Sequence, residues 1–135
     1  MQSYLDKKYY AAIYLRLSME DGDFSGSGEK KESNSIANQR KLIEDYLKHH
    51  PEIVSYQEFC DDGYTGTNFD RPDFQRMISL VKQNKINCII VKDLSRFGRE
   101  YIEMGRYVEK IFPALGVRFI AINDNYDSAL AQDTG

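Results

Sequence analysis

Two hydrophobic periods alternate along the chain. In "YYAAIYLRLS", Tyr9 to Ser18, the period is two: Ala12, Tyr14, Arg16 and Ser18 share one side of an extended strand, and Ala11, Ile13, Leu15 and Leu17 the other. Ile36 to His50 switches to a helical period, with Ile36, Ile43 and Leu47 on one face and Leu42 and Tyr46 beside it. Ser33 or Asn34 stands at the capping position, and Pro51 stands where the helix must stop. "IVSYQEF" predicts a second strand. Pro72 opens a helix that runs to about Gln83, with Phe74, Met77, Ile78 and Val81 as its apolar stripe. "INCIIV" is almost continuously apolar and predicts a strand covered on both faces. "SRFGRE" turns into a helix from about Tyr101 to Leu115, closed by Gly116, and "VRFIAI" predicts the last strand.

The connecting stretches carry turn chemistry. Met19 to Ser35 is rich in Gly, Ser and charge and predicts a loop, as does "CDDGYTGTNFD". The ending "NDNYDSALAQDTG" shows no packing pattern and is expected to fray. Strands alternating with helices predict an α/β fold: a mostly parallel sheet of about four to five strands with helices on both faces. The expected organisation is an extension over 1–8, one domain over 9–128 and a frayed tail over 129–135, with no internal repeat. In such sheets ligands gather outside the carboxyl ends of the strands.

Composition narrows the function classes. The 135 residues are 41% hydrophobic and 29% charged, an ordinary globular balance. No apolar run approaches the roughly 20 residues of a membrane span, and "MQSYLDKKYY" lacks the apolar core of a signal peptide. A cytoplasmic protein with no membrane partner is therefore expected. The net charge of −3, from 18 Lys+Arg against 21 Asp+Glu, argues against nucleic-acid binding by bulk charge but leaves room for a local basic site. Cys60 and Cys88 lack the spacing of a zinc site and are expected to be small core residues. The acidic stretches "MEDGD", "DDG" and "NDNYD" do not fit a calcium loop. His49 and His50 precede Pro51 at a helix end and are not expected to be catalytic. Tyr14, Tyr46 and Tyr56 are expected in the core or at its edge, whereas Tyr64 shares a loop with Thr65 and is placed to approach a substrate.

Two strand ends carry the distinctive chemistry. Arg16 and Ser18 lie two apart on the first strand and point the same way. Arg96 and Arg99 lie three apart just after the third strand and share a side if a helix begins there. Clustered arginines repel one another unless an anion joins them, and a phosphate diester matches their fork. A serine beside a phosphate suggests a nucleophile. No histidine is placed as its base, and neither a GxSxG elbow nor a GxxxxGK[ST] loop occurs. Phosphoryl transfer driven by arginines remains.

In this order the residues resemble the serine recombinases, or resolvase/invertases, over roughly Tyr10 to Ser128. "YLRLS" is similar to the family's Y-x-R-x-S strand, which implies Ser18 as nucleophile, Arg16 as an active-site arginine and Tyr14 as a supporting residue. Gln39 in "SIANQ" matches a glutamine common in the first helix. "DDGYTGTNFDRP" resembles the loop that places an active-site hydroxyl, here Thr65, and an arginine, here Arg71. "VKDLSRFGRE" resembles the D-R-x-x-R segment, with Arg96 and Arg99 as the paired arginines. The small resolvases carry an aspartate immediately before the first of these, where this chain has Ser95, and the nearest carboxylate is Asp93. The "DLSRFGR" form resembles the large, transposon-encoded branch.

The resemblance implies cutting of double-stranded DNA at the ends of a mobile element, through a 5′-phosphoserine linkage and a free 3′-hydroxyl, followed by strand exchange and religation. It implies self-association to a dimer and an active tetramer, and no metal, ATP or other cofactor. It also implies that a long helix and DNA-binding regions follow the catalytic domain, so that this fragment alone is expected to be inactive. The competing reading is a non-catalytic α/β module that binds a phosphorylated ligand or partner through its arginines. Taken singly, Arg16–Ser18 suits a solvated strand edge, and Arg96 and Arg99 suit a helix start paired to Glu100 and Glu103. A binder, however, needs no serine among its arginines.

Overall fold

The structure, a computed structural model, describes residues 7–16, 34–61, 71–97 and 101–131, with backbone alone at 101 and 131. Its elements follow the alternation. They are β1 (Tyr9–Arg16), α1 (Asn34–Leu47), β2 (Ile53–Asp61), α2 (Pro72–Lys82), β3 (Cys88–Val91), α3 (Leu94–Phe97), α4 (Tyr101–Arg106), a π-helical turn (Tyr107–Ile111), α5 (Phe112–Leu115), β4 (Arg118–Ala121), a 3-10 turn (Ile122–Asp124), β5 (Tyr126–Asp127) and α6 (Ser128–Ala131). The strands form one sheet in the order β2-β1-β3-β4-β5. The first four run parallel, and β5 returns antiparallel to β4.

Alternation on β1 divides the core between the two faces. Tyr9, Ala11, Ile13 and Leu15 pack with Ile36 and Ile43 of α1. Ala12 and Tyr14 pack with Phe74, Met77, Ile78 and Val81 of α2 and with Phe97, Phe112 and Phe119. β3 is buried throughout, as its continuous apolar run predicts. β2 is an edge strand, so its middle residues face solvent. Tyr56 is accordingly 45% exposed rather than at the core edge, with its hydroxyl donating to Glu44. Cys60 is half-buried, against the expectation of a core residue, whereas Cys88 is fully buried.

Several boundaries differ from the expected ones. α1 begins at Asn34, inside the expected loop, and ends at Leu47 rather than His50. The chain there tightens to three-residue bonds, from the His49 amide to the Tyr46 carbonyl and from His50 to Leu47, because the residue before Pro51 cannot stay helical. β2 runs on through Cys60 and Asp61. β3 starts at Cys88, not Ile86. The expected helix over 101–115 is interrupted by the π turn, whose Phe112 amide donates to the Tyr107 carbonyl. Pro113 has no amide to offer Glu109, and its ring crowds that carbonyl, so the register shifts just before it. Gly116, at φ +73°, closes the helix in a Schellman pair: Val117 N–H to Phe112 O at 2.9 Å and Gly116 N–H to Pro113 O at 3.2 Å.

The tail differs most. β4 is not the last strand, and 123–131 is not frayed. Arg118 binds Asp127 at 2.7 Å and Glu52 at 3.1 Å, all three nearly buried, and the Phe119 amide donates to Ser128 Oγ. These polar ties hold β5 and α6 to the sheet, and a hydrophobic period does not reveal them. Residues 132–135 lie outside the described residues.

Candidate active site

The chain steps from β1 outward to β2 and then back across to β3, so the strand order reverses between β1 and β3. A crevice opens at such a point, outside the carboxyl ends. β1 ends there in Arg16, β2 ends beside it in Asp61, and β3 runs into α3.

α3 gathers the arginines. Its four residues leave carbonyls with no partner inside the helix. Arg16, only 4% exposed, donates from Nη2 to Ser95 O at 2.7 Å and from Nε to Arg96 O at 3.2 Å. Arg71 Nη1 donates to Phe97 O at 2.7 Å. Arg96 reaches back from Nη1 to Arg16 O at 3.4 Å. Arg71 also stacks over Phe74, 4.0 Å from its ring centre. Three guanidinium groups from distant parts of the sequence therefore meet on one helical turn. A pair of like unit charges about 4 Å apart costs about 1 kcal/mol in water and about 4 kcal/mol near a protein surface. Carbonyl dipoles offset part of this, and a bound anion offsets more.

Gln39, 0% exposed, fixes the end of β1: its Oε1 accepts from Arg16 N at 3.2 Å and its Nε2 donates to Arg16 O at 3.1 Å. Both backbone groups of the residue two before Ser18 are thereby held. Tyr14 is fully buried and donates to Asp61 Oδ2 at 2.7 Å. Burial pushes its phenol well above the ordinary tyrosine range, against the pull of Arg71, so it remains a donor. Tyr14 lies inside the core, with its hydroxyl on Asp61.

Asp61 escaped notice in the sequence. Its buried carboxylate also accepts the amides of Asp73 and Phe74, both at 3.0 Å, and so caps α2 from a neighbouring strand. That cap fixes the start of α2, directly after Arg71. The signal available was an acidic pair at a strand end, one glycine-containing loop ahead of a Pro-initiated helix. Ser95 is exposed, and its Oγ donates to Asp93 Oδ1 at 2.6 Å. Ser18, Thr65, Tyr64, Arg99 and residues 19–33 lie outside the described residues. His50 turns from the site, stacked on Tyr46 at 3.9 Å with Nδ1 at 2.8 Å from the Tyr46 carbonyl.

Among the described residues no group of three or more His, Cys, Asp or Glu could hold a metal ion, and no helix is long and apolar enough to cross a membrane. The sequence matches the family described as "Resolvase, N terminal domain" over residues 11–134. Among solved structures, the N-terminal catalytic domain of TP901-1 integrase superposes with a TM-score of 0.69 at 23% identity, covering 93% of this chain and 85% of that one. A resolvase family site-specific recombinase from Streptococcus pneumoniae gives 0.67 at 25% identity, covering 94% and 88%. A serine recombinase from Sulfolobus solfataricus gives 0.61 at 23% identity, covering 95% and 78%. No curated protein matches. The structural likeness is one of fold, and the family match spans nearly the whole sequence: the chain belongs to the resolvase N-terminal domain family and is a site-specific recombinase catalytic domain.

Proposed function

We propose that the domain cuts and rejoins DNA through Ser18. DNA as substrate and self-association in general come with family membership. The finer reading is that Ser18 Oγ attacks a phosphorus at the end of a mobile element, the 3′-oxygen leaves with a proton, and a 5′-phosphoserine bond stores the energy for religation. Arg16, Arg71, Arg96 and Arg99 hold the charge that grows on the phosphoryl oxygens. Gln39 and Tyr14 hold the end of the strand that leads to Ser18, Thr65 supports the substrate side, and Ser95 supports the turn that carries Arg96. Strand exchange between two duplexes calls for a tetramer, since each of four strands needs its own serine.

One observation carries this reading. Arg16, Arg71 and Arg96, remote in sequence, converge on α3 at the carboxyl edge of β1, two residues before Ser18. The test is Ser18→Ala in the intact recombinase. Cleavage is expected to vanish while DNA binding persists. A Ser18→Ala protein that still cuts DNA overturns the assignment.

A further inference from the structure

We infer that Asp93 is a positioning residue that seats Arg96 and Arg16 by holding the start of α3, partly through the hydroxyl of Ser95. The inference rests on the reading of Arg96 as an active-site arginine.

A four-residue helix has almost no stability of its own, because nucleation fixes several dihedral angles for a single hydrogen bond. α3 persists because side chains tie both its ends. At its exit the ties are Arg16 and Arg71. At its entry Asp93 Oδ1 accepts both Ser95 Oγ at 2.6 Å and Arg96 N at 3.2 Å, and Asp124 Oδ2 accepts Leu94 N at 2.8 Å. The Asp93 carbonyl accepts the Arg96 amide as well, at 3.0 Å. Asp93 is therefore the N-cap of the turn that carries Arg96, with its carboxylate on the third amide. The same turn supplies the two carbonyls that orient Arg16. Loosening it releases both arginines, which a surface ion pair at this place would not do. Ser95 strengthens the tie: its hydroxyl gives the carboxylate a second donor and is itself held in one rotamer.

The test is cleavage by the intact recombinase, with amide hydrogen exchange on this chain as a second readout. Asp93→Ala is expected to lower cleavage about tenfold or more with DNA affinity kept, because small misplacements of catalytic groups are costly. It is also expected to speed exchange at the Arg96 amide. Asp93→Asn keeps the acceptor and should protect that amide nearly as well as Asp93. Asp93→Ala with Ser95→Asp places a carboxylate on the same turn and should recover most of the lost cleavage. Ser95→Ala added to Asp93→Ala should cost little more, since the two act as one unit. Wild-type cleavage in Asp93→Ala, or strictly additive losses in the double variant, overturns the inference. If Asp93→Ala does not fold, Asp93→Gly, which an N-cap position tolerates better, carries the same additivity test with Ser95→Ala. Arg96→Ala in the same assay separates the two readings. An active Arg96→Ala sinks the site assignment, whereas an inactive one beside a fully active Asp93→Ala sinks only this inference.

Discussion

Arg96 and Arg16 hold each other's main chain: the Arg96 guanidinium reaches the Arg16 carbonyl, and Arg16 reaches the carbonyls of Ser95 and Arg96. A lysine keeps the charge but presents a single point donor on a flexible stem, so it cannot both span such a gap and keep a planar fork for a phosphate. Arg96→Lys is therefore expected to lower cleavage about a hundredfold or more, read as single-turnover cleavage. Near-normal turnover would show that only charge is needed. Beneath them, Tyr14→Phe removes one of the three donors that the described residues give the buried Asp61 carboxylate. It should lower unfolding free energy by about 1–3 kcal/mol, measured by urea denaturation. These residues were unequally legible. Arg16 and Arg96 stood out as charges at strand ends. Asp61 did not, because an acidic pair before a glycine turn looks like solvated loop until its partners arrive from elsewhere in the chain.

At the level of elements, α1 does more than cover one face of the sheet. Gln39 satisfies both backbone groups of Arg16 from within the core, while Arg40 forms a fork on Glu58 at 2.7 and 2.8 Å that ties α1 to the edge strand. Gln39→Leu removes both hydrogen bonds that Gln39 makes to the buried Arg16 main chain. It is expected to cost about 2–4 kcal/mol by denaturant unfolding and to lower cleavage further than that loss explains. A variant with unaltered stability would deny the clamp. The strands and the helical stripes were readable because period two and period 3.6 are written directly in the apolar positions: β1 divided between two core clusters as its alternation required. The π turn was not readable from periodicity, although Pro113 carried the cause. α3 was only half visible, since a single helical turn has no period, and its stability comes from side chains remote in sequence.

For the whole molecule, the polar ties of the C-terminal segment matter as much as its apolar packing. Burial pulls the Arg118 guanidinium toward losing its proton, but hydrogen bonds and charge from Asp127 and Glu52 more than reverse this and hold it firmly cationic. Removing Asp127 takes the two-pronged partner from a buried guanidinium and leaves Glu52 to offset it. Asp127→Ala is thus expected to cost about 3–5 kcal/mol by thermal or urea unfolding, and an unchanged midpoint would contradict the role given to the triad. Alkali should also unfold the domain. Burial pushes the Cys88 thiol from its ordinary value of 9.0 up to about 12 and the Tyr46 phenol from 10.0 up to about 12. The unfolded chain sheds these protons first. Stability is therefore complete below about pH 9 and falls as pH rises from there toward 12, with Cys88 alone contributing up to about 1.4 kcal/mol per pH unit. Urea midpoints at pH 8 and pH 10.5 check the sign.

The central claim concerns one covalent bond. Incubating the intact recombinase with duplex DNA bearing its element's ends, in EDTA, and mapping any protein–DNA adduct by peptide mass spectrometry tests it most directly. The account predicts a 5′-phosphate ester on Ser18 and a free 3′-hydroxyl on the departing strand. An adduct on any other residue, or DNA cut with no adduct at all, would contradict it.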